Sequence, residues 1–182
     1  MYIKEFNVIY TEKKTDEYRL YICKKSLENQ LYRIFELADR NKITEYIKYF
    51  NSLNFKDFYG DFSIDEKYYI VFKHPDGIIA GDSDWKKLSA KDIVKALVLQ
   101  NPPIEIAVPM LSFNNIFVYE KEIRFAYVLP MLDNRACKGL LEEKLADMID
   151  LIWSEHRTPE AKRWLDSLRR GKFSHLVIAL KY

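Results

Sequence analysis

Residues 112–128 read SFNNIFVYEKEIRFAYV, two short aromatic and β-branched runs on either side of a charged turn. Their alternation predicts a β-hairpin with strands at about Ile116–Tyr119 and Ile123–Val128. Asn114 and Asn115 stand just ahead of it, at a place where polar side chains either carry chemistry or bond the local backbone. Upstream, Ser89 followed three residues later by Asp92 resembles a capping box before Ile93, Val94, Ala96 and Leu97, and Asn101-Pro102-Pro103 ends that helix. Downstream, Leu141, Leu145, Met148, Ile149 and Ile152 form an apolar stripe, which predicts a helix over 138–155. Thr158-Pro159 then opens a last helix with a cap and an N1 proline, and Gly171 is placed to close it.

The first part of the chain reads differently. Phe6–Tyr10 and Arg19–Cys23 are strand-like runs, with the polar stretch Thr11–Glu17 as the hairpin loop between them. Leu31–Leu37 fits a strand, although Leu27, Leu31, Ile34, Phe35 and Ala38 would also share one face of a helix. The strand is preferred, because Asp39 is a good N-cap for a separate helix in which Ile43, Ile47 and Phe50 recur at helical spacing. Phe55–Gly60 and Lys67–Lys73 read as paired strands joined by the turn Ser63–Glu66. The sequence His74-Pro75-Asp76-Gly77 stops the second one, since proline donates no ladder hydrogen bond and Asp-Gly favours a turn. The expected organisation is therefore a β-sheet plus helix over 1–75 and a mainly helical part over 76–182.

Composition narrows the function classes. The 182 residues include 48% hydrophobic and 15% aromatic side chains, enough to fill a core. A formal charge of +2, from 29 basic and 27 acidic residues, gives no bulk field of the kind that marks a nucleic-acid binder. Cys23 and Cys137 are far apart and lack zinc-site spacing, so buried small hydrophobes are the expectation for both. No window approaches the roughly 20 apolar residues of a membrane span, and the start lacks a signal-peptide pattern, so a cytoplasmic location is expected.

The order of parts resembles the protein-kinase fold: an α+β chain with a strand-rich N-lobe containing one helix, a break, and a reduced, mainly helical C-lobe carrying a β-hairpin. Asn115-Ile116-Phe117-Val118 is similar to the end of the kinase catalytic loop, H-R-D-L-x-x-x-N, and Arg124–Leu129 to the strand that runs into D-F-G. The chain also resembles kinase-like domains of Gram-positive bacteria and, more distantly, the cytoplasmic pseudokinase domain of a bacterial type VII secretion membrane component.

Phosphoryl transfer depends on particular groups that position reactants and neutralise charge. Counting back five residues from Asn115, Met110 stands where the resemblance places the catalytic-base aspartate, and its thioether accepts no proton. At the place of the magnesium-binding aspartate stands Tyr127, whose phenol stays protonated at neutral pH. The first glycine is Gly60, after both opening strands, so no glycine-rich loop can bring backbone amides close to phosphate. Tyr21-Ile22-Cys23-Lys24 echoes V-A-I-K, but only if residues 27–38 are the helix. The resemblance thus implies no catalytic, cofactor-binding or metal-binding residue and no cofactor. It implies a non-catalytic interaction or scaffold module, the cytoplasmic part of a larger bacterial assembly, with a protein partner and no small-molecule substrate.

Two alternatives belong to other classes. An atypical nucleotide-binding enzyme would use Lys24 and Asn115. A nucleic-acid or anionic membrane-surface adaptor would use the basic helix 158–172, through Arg157, Lys162, Arg163, Arg169, Arg170 and Lys172, with Trp164, Leu165 and Leu168 facing inward. His74, His156 and His175 are expected to be structural or solvated, and Asp57, Asp61, Asp65 and Glu66 to line a solvated edge. Ser83 and Ser112 lack a nucleophile elbow.

Overall fold

The computed structural model describes the chain apart from residues 38, 52, 81–87, 133–136, 155–156, 174 and 180–182 and the side chain of Arg40. It divides into two compact units, Met1–Pro75 and Asp76–Tyr182.

The first unit contains β1 (Tyr2–Ile3), β2 (Phe6–Lys14), β3 (Tyr18–Lys25), β4 (Leu31–Leu37), the helix α1 (Arg40–Phe50), β5 (Phe58–Ile64) and β6 (Lys67–Lys73). Residues 31–37 are a strand, as preferred, and Asp39 caps α1 by accepting a hydrogen bond from the Asn41 amide. All six strands form one antiparallel sheet in the order β1-β2-β3-β4-β6-β5. Three boundaries differ from expectation. Strand β2 runs through Thr11–Lys14, so the loop is confined to Thr15–Glu17. Its polar residues remain in the ladder because β2 lies at the edge of the sheet there, with Thr11–Lys14 all exposed. Strand β5 begins at Phe58 and absorbs Asp61 and Ser63, and the turn tightens to Asp65-Glu66, both at positive φ.

Alternation along β4 gives the sheet two apolar faces. Phe35 shares one with Phe72 and α1: the Phe72 ring lies 6.0 Å from both Phe35 and Phe50 and 5.8 Å from Phe58. The other holds a separate core of Ile3, Phe6, Tyr21, Cys23, Tyr32, Ile34, Tyr69 and Val71. A bulge between Phe58 and Gly60 inserts Tyr59 as an extra residue and re-aims it. Its ring then meets Phe6 at 5.6 Å and Tyr32 at 5.0 Å, and its hydroxyl accepts from Lys25 and donates to Glu5. Since β2 and β5 belong to opposite ends of the strand order, these contacts require a curled sheet. The Tyr59 hydroxyl also holds the Glu5 carboxyl below its ordinary pKa.

The second unit comprises β7 (Ile78–Ile79), α2 (Ala90–Gln100), α3 (Ile104–Met110), a 3₁₀ turn (Phe113–Asn115), β8 (Ile116–Tyr119), β9 (Glu122–Phe125), α4 (Lys138–Ile152), α5 (Pro159–Arg169) and α6 (Leu176–Ala179). The predicted hairpin is present but joins a small sheet in the order β7-β8-β9, and its second strand ends at Phe125 rather than Val128. Gly77 permits the β7–β8 approach: it has φ +111°, and a Cβ there would lie 2.4 Å from the Val118 carbonyl oxygen. Helix α3 and strands β1 and β7 were not expected; two-residue strands carry no periodicity, and Pro109 inside α3 masks its pattern. Ser89 is the N-cap of α2 by position only, because its side chain makes no cap hydrogen bond, and Asn101 closes the helix in the left-handed region. The stripe on α4 is buried as expected; of the residues assigned to its end, Glu155 lies outside the described residues. Thr158 caps α5 through the Ala161 amide, and Gly171 follows it at φ 61°.

The cysteines divide. Cys23 is fully buried and its thiol is pushed up to about 12 by burial, whereas Cys137 is exposed ahead of α4, contrary to expectation. Iodoacetamide at pH 8 should therefore label one thiol in the native protein and two after denaturation. Native labelling of both, read by mass spectrometry, would contradict the buried second core.

Candidate functional site

Asn115 is placed by the hairpin but employed locally. Its side-chain amide donates to the carbonyls of Pro109 and Met110, at 3.4 and 3.3 Å, at the C-terminal end of α3, where the Met110 carbonyl also accepts from the Ser112 amide at 2.8 Å. Its own carbonyl accepts from the Ala126 amide at 2.6 Å. Gln100, at the end of α2, fastens the strand beside it: the side-chain amide donates to the Phe125 carbonyl and its oxygen accepts from the Phe125 amide. Turn, hairpin and helix end are thus one hydrogen-bonded assembly.

Met110 and Tyr127, which stand at the two acidic positions of the resemblance, are 0% and 1% exposed. Both are core side chains. Neither can meet a solvent-borne substrate without unpacking the unit, which has the density of an organic crystal.

In the first unit the register settles where a basic strand residue falls. Because 31–37 is a strand, the arrangement that would give Lys24 a phosphate-gripping role is absent; Lys24 is exposed on β3, opposite Asn7 and Leu31. The basic residue of the strand preceding α1 is Arg33, which sequence reasoning passed over in searching for lysine. It is 4% exposed, its Nη1 lies 2.8 and 3.1 Å from the two carboxylate oxygens of Glu12 on β2, and its guanidinium sits 5.9 Å from the Phe35 ring centroid. Burial pulls the Arg33 pKa down and Glu12 opposes that shift. A guanidinium whose charge is matched by a carboxylate from β2, two strands away, offers little to a phosphate. Glu45, the one acidic residue of α1, is exposed.

A second polar cluster also escaped the sequence. Glu36 is buried on the opposite face of β4, where it accepts from the Tyr69 hydroxyl at 3.0 Å and the Tyr21 hydroxyl at 3.5 Å, with Lys67 at 3.2 Å and Arg19 at 3.6 Å. Burial and this carboxylate raise the Tyr69 pKa. The signal was present: a glutamate inside the apolar run Ile34-Phe35-Glu36-Leu37 demands partners if the run is buried.

The basic C-terminal segment is half neutralised. Arg157 pairs with Asp150, Arg169 with Asp147 and Asp150 at 2.8 and 3.1 Å, and Arg163 with Glu160 at 2.9 Å. Lys162, Arg170 and Lys172 are exposed and form no ion pair among the described residues. Leu165 and Leu168 face inward as expected, and Trp164 is half-buried. His74 is buried beside the Pro75 carbonyl and His175 is exposed, while His156 and Ser83 lie outside the described residues. The described side chains of Asp57, Asp61, Asp65 and Glu66 form no cluster able to hold a metal; Asp61 accepts from the Tyr68 hydroxyl at 2.6 Å.

No family model matches the sequence, and no curated protein matches it significantly. Among solved structures the chain is similar to Rad53 1-466 in complex with AMP-PNP, with 13% identity and a TM-score of 0.67. The likeness covers 97% of this chain and 64% of that one. It shows the fold: a mixed α+β, kinase-like chain with a curled, strand-rich unit and a mainly helical one. Among the described residues no helix is long and apolar enough to cross a membrane.

Proposed function

We propose that this kinase-like chain is a non-catalytic interaction module, a pseudokinase in type, working as the cytoplasmic part of a larger bacterial assembly. The observation that carries the reading is the burial of Met110 and Tyr127 at the positions where the fold's catalysts hold a proton acceptor and a metal ligand. Arg33 supports it, since the cation of the strand before α1 is matched by Glu12. The glycine-free β2–β3 hairpin, whose backbone cannot approach phosphates closely, supports it as well. Two unpaired cysteines fit a reducing compartment. A protein partner is favoured over nucleic acid or a lipid surface, because Arg157, Arg163 and Arg169 already hold carboxylates and a phosphate-driven surface needs free cations.

Thermal unfolding with and without magnesium-ATP tests this. A ligand present at a hundred times its Kd stabilises the native state by about 2.7 kcal/mol, several degrees in Tm for a chain of this size. The expected shift is none, with ATP alone or with magnesium. A saturable, magnesium-dependent rise in Tm that disappears in Arg33→Ala would overturn the reading.

A further inference from the structure

A groove of about 890 Å³ opens within the 76–182 unit, where the start of α2, the end of α4, α5 and α6 meet. Val94, Trp153, Trp164, Phe173 and Ile178 supply its apolar lining. The rings hold one another: Trp153 and Trp164 meet edge to face at 5.6 Å, and Phe173 lies 6.0 Å from Trp164. The Trp164 indole N–H is already used, donating to the Ala179 carbonyl at 3.2 Å, which ties α6 to α5 and leaves ring faces as the surface on offer.

Among the described residues the charge lining this groove is mostly positive: Lys91, Arg163 and Lys172 stand with one acid, Glu160, which is bound to Arg163. Lys91 and Lys172 form no ion pair among the described residues. On the same segment Arg157 and Arg169 are neutralised by Asp147 and Asp150, Lys162 and Arg170 carry unpaired charge outside the groove, and Lys91 and Lys172 carry it at the aromatic opening. A membrane surface or a nucleic-acid backbone would be met by cations spread across a plane. An aromatic slot with two free ammonium groups at its rim instead suits an apolar anchor with carboxylates beside it.

We propose that this groove is a docking site for a partner-protein segment that seats an apolar side chain against the ring surfaces of Trp153 and Trp164 and sets acidic residues against Lys91 and Lys172. The volume lies in the range of about 300–1,000 Å³ usual for ligand-sized clefts, enough for a bulky anchor and its neighbours. The inference extends the interaction-module reading but is built wholly from residues 76–182 and uses none of the emptied kinase positions. Failure of either therefore leaves the other standing.

The experiment pans a random peptide library displayed on phage against the full chain and measures synthetic versions of the enriched sequences by fluorescence anisotropy. Enriched peptides should combine Asp or Glu with Leu, Phe or Trp. The double variant Lys91→Glu, Lys172→Glu should weaken them about 10-fold or more, which corresponds to about 1.4 kcal/mol, with Tm unchanged. Lys162→Glu with Arg170→Glu, outside the groove, should leave affinity as it was. Absence of enrichment, enrichment of peptides without acidic residues, or equal losses in the two double variants would overturn the proposal. So would binding confined to phosphatidylserine vesicles.

Discussion

Tyr127→Asp should collapse the 76–182 unit rather than restore a metal ligand. Tyr127 is 1% exposed, so the substitution removes a buried aromatic ring, a change that costs about 3–5 kcal/mol in comparable cores. It also buries a carboxylate in place of a phenol, adding a desolvation cost. Against a whole-domain stability of about 5–15 kcal/mol, the sum is close to unfolding. Met110→Asp should act in the same direction, because Met110 is 0% exposed. Residues 1–75 contain no tryptophan, whereas Trp153 and Trp164 belong to this unit, so tryptophan emission in a urea titration does not report on the first unit. The pH dependence has a defined sign. A buried acid has a folded pKa above its unfolded value, so the added penalty is greatest at neutral pH and shrinks as pH falls toward the unfolded carboxyl pKa of about 3.9. If instead a variant carrying both Met110→Asp and Tyr127→Asp folded normally and gained stability from magnesium, the two positions would belong to an open site and the non-catalytic reading would fail.

Phe72→Ala should be the most damaging single truncation in the first unit. Its ring is fully buried on β6 and meets Phe35, Phe50, Phe55 and Phe58 at centroid distances of 5.8–6.1 Å, joining strand, helix and the following edge. Loss of the ring leaves a cavity ringed by aromatic groups that are themselves fixed by mutual contact, so little relaxation can offset it, and about 3–5 kcal/mol is expected. Circular dichroism registers the loss directly, since the sheet belongs to this unit. A cost below about 1.5 kcal/mol would mean that α1 is not anchored through Phe72. Phe72→Leu, which keeps most of the volume, should recover the larger part.

How much of this was legible varied with the range of the interaction. The cap at Asp39, the strand at 67–73, the stop at His74-Pro75 and the stripe on α4 are written in neighbouring residues, and each was read with the right type. The hairpin of residues 112–128 was read too, yet its sheet partner β7 was not, because two residues leave no pattern. The candidate site fared less well. Arg33 was hidden by the expectation of a lysine, and Glu36 by its place in an apolar strand whose polar partners come from elsewhere.

By itself, then, the sequence determined the type and order of the longer elements and the absence of acids at the two positions marked by the kinase resemblance, since all of these depend on residue identity within a few turns of chain. Tertiary structure alone decided who meets whom. Arg33 finds Glu12 across 21 residues, Glu36 finds Tyr69 across 33, and Tyr59 reaches Glu5 across 54 because one bulge turns it and the sheet curls. Such pairings depend on the register and curvature of the whole sheet, which no local propensity encodes.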